Sequence, residues 1–562
     1  VLTTRVDPPF PLARMRTRGE LHEVRAAELR FTHDEAEKFL GDVMHRDLEP
    51  AQVGVLEGRT EGWVAGLQLA ALSVRARGQR GQPGAVGEFV EQFSGSHRFV
   101  LDYLVEEVLA GLDEGTRRFL LRTCVLDALT GPLCDAVTGA PGGQRMLDEL
   151  DRANLFLVPL DDHRAWFRYH HLFADALRAR VQAAHPGLHT TLHGAASRWY
   201  AGQGLLDEAV HHARVGADDE WLADVVEYSL PGLRRERRNR TIIDRLASVP
   251  DAVLRTRAIL APARAWVCLS SGDLVGAQDW LDVAEELTAR GHRRSPGGPV
   301  PPAFVEAREE AARTVPANVA IYRAAIGQAS GDAAATTVHA SRAQALAEPT
   351  DHLVRGAAAG FLGLASWAEG DLVSAVETFR RAVAHLRAAG HVTDERGATV
   401  VLASMAPALG EVAGARQLYE DARAAARVNT QGGWRVTGDL HVGLADVLRE
   451  QGDLDAAAQH VRSAIDLGEG ARLLENRFRL PVVQAGLLVA RGEFDRAAEH
   501  LERAQSLYLP GFFPDTRPLP AMRVRALIAG GRLDEARRWA ASSGVEAVDP
   551  GAYVREFDLL TH

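Results

Sequence analysis

Few residues of this 562-residue chain are of types and spacings that do chemistry. His170-His171 follows Phe167-Arg168-Tyr169 at the end of an extended run, as a histidine pair at a strand–helix junction. Phe156-Leu157-Val158-Pro159-Leu160-Asp161-Asp162 is an apolar strand ending in two acids, an arrangement able to hold magnesium. Its place before a tight turn makes the acids hairpin residues instead. His211-His212 follows Glu208, but adjacent histidines on a helix point apart, whereas zinc prefers an i, i+4 pair, so surface packing is expected. Cys124, Cys134 and Cys268 lie far apart without metal-ligand spacing and read as small buried apolar residues in a reducing compartment. The one lysine, Lys38, sits between Glu37 and Phe39, and no Gly-x-x-x-x-Gly-Lys-Ser/Thr string occurs. A triphosphate therefore finds no glycine-rich cradle. No Gly-x-Ser-x-Gly elbow, catalytic triad or acid–base pair stands out, so no enzyme activity is expected of this chain.

The elements that would position these residues are mostly helices. The chain is 46% apolar and 25% charged, as soluble globular proteins are. Its length predicts several domains. The net charge of −11 argues against the whole chain binding nucleic acid, which needs Lys and Arg gathered on one face. No apolar run is long enough to span a bilayer, and a cytoplasmic, non-membrane protein is expected. The chain opens on Val-Leu-Thr-Thr-Arg without Met, which reads as the middle of a longer protein.

Internal repetition is the strongest pattern. Turns of the form Gly-Asp/Glu-apolar recur at Gly272, Gly331, Gly370, Gly410, Gly452 and Gly492, with Gly531-Arg532-Leu533 a variant. From Gly331 the spacing is about 40 residues. Glycine can end one helix in the left-handed conformation, and the next acid can cap the following helix. After the turns the apolar residues fall on one helical stripe: Leu372, Ala375, Val376, Phe379, Ala382, Val383, Leu386; Leu454, Ala457, Ala458, Val461, Ala464, Ile465; Phe494, Ala497, Ala498, Leu501, Ala504. Small residues before one turn, Ala357, Ala358, Gly360, Gly363 and Ala365, predict close helix contact. These are paired-helix units resembling lengthened tetratricopeptide repeats, whose stacking makes a superhelix with a binding face. The Pro/Gly-rich stretch from His292 to Pro302 marks a loop interrupting them.

Before the repeats, residues 1–5 read as the end of a buried strand, and Leu21–Phe31 contains a short β-like run. Thr32 and Glu35 form a capping box for a helix burying Ala36, Phe39 and Leu40. Another helix runs through Trp63, Leu67 and Leu72. From Phe99 the order is three helices, a hairpin (Leu155–Leu160 with Ala165–Tyr169) and a helix, predicting a winged helix. Its third helix, Gln144–Ala153, carries Asp148, Glu149 and Asp151 against Arg145 and Arg152, which argues for structural packing rather than DNA reading.

Four strings resemble the MalT-like large ATP-binding LuxR-family regulators, of the STAND class of signalling ATPases. They are Leu2-Thr3-Thr4-Arg5 with Asp7-Pro8-Pro9, Leu29-Arg30-Phe31-Thr32, Glu61-Gly62-Trp63-Val64-Ala65-Gly66-Leu67-Gln68-Leu69, and Phe167-Arg168-Tyr169-His170-His171-Leu172-Phe173. The resemblance implies ATP or ADP as cofactor of an intact parent, with none bound tightly by this chain. It implies that Arg5 touches a γ-phosphate, that the loop of Gly62, Trp63 and Gly66 packs near adenine, and that His170 or His171 reaches a β-phosphate. The alternatives are a strand-end arginine, a helix-packing Trp63 and a histidine pair at a strand–helix junction. It further implies a small-molecule or protein inducer on the superhelix, self-association on activation, and DNA contact only through a C-terminal domain beyond His562, both ends being truncated.

The expected fold is thus dominated by α-helix. A remnant of an α/β nucleotide-binding domain occupies 1–30, a helical domain 31–96, a winged helix 97–185, a helical linker 186–250, a tetratricopeptide-like sensor 251–545, and a truncated tail 546–562. The expected function is that of a fragment of a signal-responsive transcriptional regulator. The alternative is a standalone protein-interaction scaffold that never used ATP.

Overall fold

The computed structural model describes the chain apart from residues 1–11, 20, 23, 25–27, 45–47, 79–89, 91–107, 154, 237, 292–299, 429–432 and 546–552. Its contacts divide into two compact units, Val1–Val225 and Val226–His562.

In the first unit α1 (Leu12–Thr17) precedes α2 (His33–Met44), α3 (Pro50–Thr60) and α4 (Val64–Gly78). The predicted capping box at α2 is formed. Glu35 accepts from the Thr32 N–H at 2.9 Å, and Thr32 Oγ1 accepts from the Glu35 N–H at 3.5 Å. Ala36 and Leu40 are buried as expected. The strand expected within Leu21–Phe31 is not formed by the residues described there; 28–30 make a turn. A strand needs a partner, and the one sheet among the described residues is elsewhere. The remnant expected over 1–30 otherwise lies largely outside the described residues, as do its strand over 1–5 and most of the loop from His292.

The winged helix is built from α5 (Glu114–Thr123), α6 (Gly131–Thr138), α7 (Gly143–Arg152), β1 (Leu157–Pro159), β2 (Phe167–Tyr169) and α8 (His171–Ala184). Asp113 and Thr130 cap α5 and α6 by accepting from the N–H groups of Thr116 and Leu133. The strands are antiparallel, with Leu157 opposite Tyr169 and Pro159 opposite Phe167, and Leu129 bridges to Phe167. Asp161 uses both carboxylate oxygens on the turn between them, accepting from the N–H groups of Ala165 (3.1 Å) and Trp166 (2.7 Å). The two-acid string therefore does turn chemistry.

A further helix pair, α9 (Pro186–Gly202) and α10 (Leu206–Val215), turns at Gly204 with φ +74°. Here one expectation fails. His212 is buried rather than on the surface, and its Nδ1 lies 2.8 Å from Nδ1 of buried His193. His211 stays exposed.

The second unit stacks helix pairs. In chain order they are α11 (Leu260–Ser270) and α12 (Leu274–Ala289), α13 (Pro302–Ala329) and α14 (Ala333–Leu346), α15 (His352–Glu369) and α16 (Leu372–Ala388), α17 (Val392–Met405) and α18 (Val412–Val428), α19 (Thr437–Glu450) and α20 (Leu454–Asp466), α21 (Arg479–Ala490) and α22 (Phe494–Leu507), and α23 (Leu519–Ala529) and α24 (Leu533–Ser542), before the short α25 (Glu556–Thr561). Every predicted turn glycine has a left-handed φ, from +71° at Gly331 to +88° at Gly370. Asp273, Asp332, Asp371 and Asp453 then cap the second helices, each accepting a backbone N–H at 2.8–3.1 Å. Glu493 and Arg532 stand in the same place and make no such bond.

The predicted stripes are the core. Ala375, Val376, Phe379 and Ala382 are buried, as are Ala457, Val461 and Ala464, whereas Ile465 is half-exposed at the end of its helix. One apolar cluster runs unbroken from Val400 through Tyr419, Leu440 and Val461 to Leu487, so each pair leans on the next. Small residues decide where helices touch. A Cβ on Gly363 would sit 2.5 Å from the Phe379 ring, and one on Gly443 2.2 Å from Tyr419 Cζ. Gly360, expected to serve the same end, has nothing within 4 Å.

Candidate functional site

The residues singled out from sequence converge, in the first unit, where α3 and α4 meet the winged-helix hairpin. Helix α3 ends at Glu61, which takes the left-handed conformation (φ +51°), and Gly62 follows at φ +69°. The Gly62 carbonyl accepts from the Phe31 N–H at 2.9 Å, and a Cβ there would lie 2.5 Å from the Phe31 oxygen. Only glycine fits this approach. The tight double turn aims the Glu61 carboxylate at the hairpin.

Glu61 is the hub of the site. Arg168 donates to both its oxygens, at 2.6 and 3.0 Å, in a two-pronged bond joining residues 107 positions apart. Arg30 adds a contact at 3.3 Å, and His171 Nε2 lies 3.6 Å away. The Glu61 side chain is only 9% exposed. Burial pushes its pKa up, but the Arg168 bond, with the charges of His170, Arg168 and His171, outweighs burial and holds the carboxyl at about 2.

Trp63 packs edge-on against Phe156 (5.3 Å between ring centres) and His170 (6.0 Å). Gly66 lies beneath it, where a Cβ would come within 2.7 Å of the indole and 3.2 Å of Leu172. His170 is 5% exposed, and its Nε2 donates to the Thr60 carbonyl at 2.9 Å. That bond fixes the tautomer, so the buried Nδ1, which has no protein partner, carries a lone pair. Burial lowers the His170 pKa despite the nearby Glu61. His171 is 61% exposed in its side chain and faces the carboxylate.

Of the residues expected to touch nucleotide, the structure therefore gathers Gly62, Trp63, Gly66, His170 and His171. Arg5 lies outside the described residues. Sequence reading assigned no role to Glu61, Arg30 or Arg168. The available signal was their opposite charge within strings already singled out. Among the described residues no group of three or more His, Cys, Asp or Glu is placed to hold a metal. The three cysteines are buried and free, and burial pushes the Cys124 and Cys134 thiols up to about 12, away from reactivity. No helix among the described residues is long and apolar enough to cross a membrane.

The first unit thus joins a winged helix to a helical segment through an ion-pair hub, and the second is an array of tetratricopeptide-like pairs. Comparison with known proteins agrees. Residues 105–189 match the MalT winged helix domain, and residues 317–562 match the MalT-like TPR region. The chain therefore carries a MalT-like winged helix and a MalT-like repeat region. It is 35% identical over 257 residues to the serine/threonine-protein kinase PknK of Mycobacterium tuberculosis, covering 46% of this chain and 23% of the kinase. It is 35% identical over 271 residues to the HTH-type transcriptional regulator MalT of Cronobacter sakazakii, covering 48% of this chain and 30% of that protein. The MalT of Serratia proteamaculans is 34% identical over 290 residues, which are 51% of this chain and 31% of the relative. The matched stretches thus span less than a third of these relatives. The solved structure of a STAND protein with a tetratricopeptide repeat sensor from Pyrococcus horikoshii superposes with a TM-score of 0.53 at 12% identity, covering 95% of this chain and 75% of that one, a likeness of fold.

Proposed function

We propose that this chain is the input portion of a signal-responsive transcriptional regulator, in which the helix pairs bind an inducer and the Glu61 hub couples nucleotide state to the winged helix. The observation that carries the proposal is the hub itself. Arg30 and Arg168 are the cations an incoming phosphate would seek, and both, with the His171 imidazole, already face one carboxylate. A nucleotide phosphate would compete with Glu61 for them, and binding would loosen the hairpin from α3. Nucleotide would supply the charge that drives this exchange. Gly62, Trp63 and Gly66 would pack near its base, and Arg5 would approach its terminal phosphate. Between the two histidines the geometry favours His171. His170 already uses its one proton on Thr60, and burial opposes a second. No catalytic role is proposed for the chain, and tight nucleotide binding by it alone is not expected.

The similar identity to a kinase and to transcriptional regulators supports an input role, because relatives named for different outputs share this stretch. DNA contact is assigned elsewhere. On α7, Arg145 is held by Glu149 at 2.8 Å, and Asp151 holds Arg164 of the hairpin at 2.7 Å, so acids claim cations a phosphate would need. The test is thermal unfolding of this chain with sugars, peptides, ATP, ADP and duplex DNA. Stabilisation by one effector class, with little from ATP alone and none from DNA, is expected. Stabilisation by none of the effectors would remove the sensor role, and stabilisation by ATP alone would overturn the accessory view of the nucleotide site.

A further inference from the structure

In a stack of helix pairs each unit touches its neighbours, and connectors are short. Residues 508–518, between α22 and α23, depart from both habits. They form neither helix nor strand but a run of turns and bends carrying Pro510, Pro514 and Pro518. From the pair that turns at Gly492 they reach back to the pairs that turn at Gly331, Gly370 and Gly410. Gly511, at φ +85°, lies so close to the end of α13 that a Cβ would fall 2.8 Å from the Ala329 Cα. Phe513 packs against the cluster of Leu364, Val401, Leu402 and Met405, with Phe379. The Arg479 guanidinium sits 5.0 Å from the Phe513 ring centre. Tyr508 meets Phe478 edge-on at 5.1 Å. Ala329, Leu364, Val401, Met405 and Arg479 belong to first helices of their pairs, and Phe379 to the second helix α16. The neighbouring Phe512, by contrast, is 47% exposed.

We propose that residues 508–518 are a built-in occupant of this face, seated where a turned, proline-flanked aromatic segment of a partner protein would bind, so that the partner enters by exchange with it. The inference rests on the sensor reading and names its ligand class as a peptide. An internal segment competes at a high local concentration, so a matching external peptide binds weakly until the anchor is removed. The anchor is Phe513, which supplies the apolar contact, and Gly511 permits the backbone approach.

The experiment uses the whole chain and a fluorescent peptide copying residues 507–518. Binding is measured to the wild type, to Phe513→Ala, to a Gly/Ser replacement of residues 509–514 that keeps the connector length, and to Phe512→Ala. The first two variants are expected to bind at least about tenfold more tightly than wild type, and Phe512→Ala like wild type. Hydrogen exchange over residues 361–405 should rise in those two variants and return when peptide is added. Equal peptide binding by all four proteins, or exchange unchanged in both variants, would overturn the proposal. So would failure of both variants to fold, since a segment that must leave cannot be indispensable. A peptide that exchanges as described, alongside no stabilising effector, would remove the sensor reading and leave the occupied face standing.

Discussion

Around Gly370 the chain reverses with one left-handed glycine, one capping carboxylate and a stripe of alanine, valine and phenylalanine, all within a few residues of one another. Around Glu61 it also reverses through left-handed residues, but what secures the turn comes from far away: the Phe31 N–H, the Arg30 side chain and Arg168 of the hairpin. The array is held by many small apolar contacts, each replaceable, and the hub by a few charges that depend on one another. The first design tolerates single losses and extends by repetition. The second concentrates its stability in one carboxylate, so that loss of one group loosens the whole turn.

The comparison breaks most sharply at Gly62. A Gly62→Val substitution combines a disallowed φ with a collision against the Phe31 backbone, and it should cost the first unit about 3 kcal/mol or more in urea unfolding. Next comes Glu61→Ala. It leaves two arginines unpaired, one of them 24% exposed in its side chain, and should cost about 2 kcal/mol after allowance for that exposure. Loss no greater than that of a half-buried array acid such as Glu493→Ala would show that the hub carries no special weight.

The pH dependence sharpens the contrast. Burial first, then neighbouring histidine and arginine charge, lowers the pKa of His193 to about 3; burial, His211 and Arg178 lower that of His212 to about 4, Asp127 opposing. Unfolded imidazoles titrate near 6.5, so the unfolded chain takes up protons that the folded pair refuses. This stability is complete above about pH 6.5 and declines as pH falls toward 4. Glu61 behaves differently, since its contribution persists until pH drops below about 4.5 and toward its folded value. Melting of wild type and a His193→Phe variant between pH 7.5 and 5 should show a shallower decline in the variant.

Smaller effects belong to the array. Asp371→Ala removes a cap bond of 3.0 Å and should lower the urea midpoint of the array, whereas Glu493→Ala, with no cap bond, should leave it almost unchanged. Gly360→Ala meets open space inside a helix and should stabilise by about 0.5 kcal/mol. The same change at Gly363, against the Phe379 ring, should destabilise. Identical signs for the two would mean that helix propensity, not contact, governs that helix.

The array was readable because its instructions are local. A glycine, an acid and a stripe lie within one window, and each states its own geometry. Gly204 escaped notice because Leu205 and Leu206 follow it rather than an acid, although its pair places His193 and His212 nineteen residues apart, as His441 and His460 are around Gly452. The role of Glu61 is not legible in its own string, since nothing near residue 61 announces Arg168. For the same reason Gly360 and Gly363 looked alike, and His212 looked like a surface residue. The strand expected within Leu21–Phe31 failed because local β preference cannot supply a neighbour.

The seat of Phe513 also acts as a ruler. A plain stack can gain or lose a pair of helices with little consequence beyond the local joint. Here, one pair inserted or deleted between Gly331 and Gly492 would carry residue 513 away from Leu364 and Met405, and Gly511 away from Ala329. The number of units in that stretch is therefore fixed by geometry.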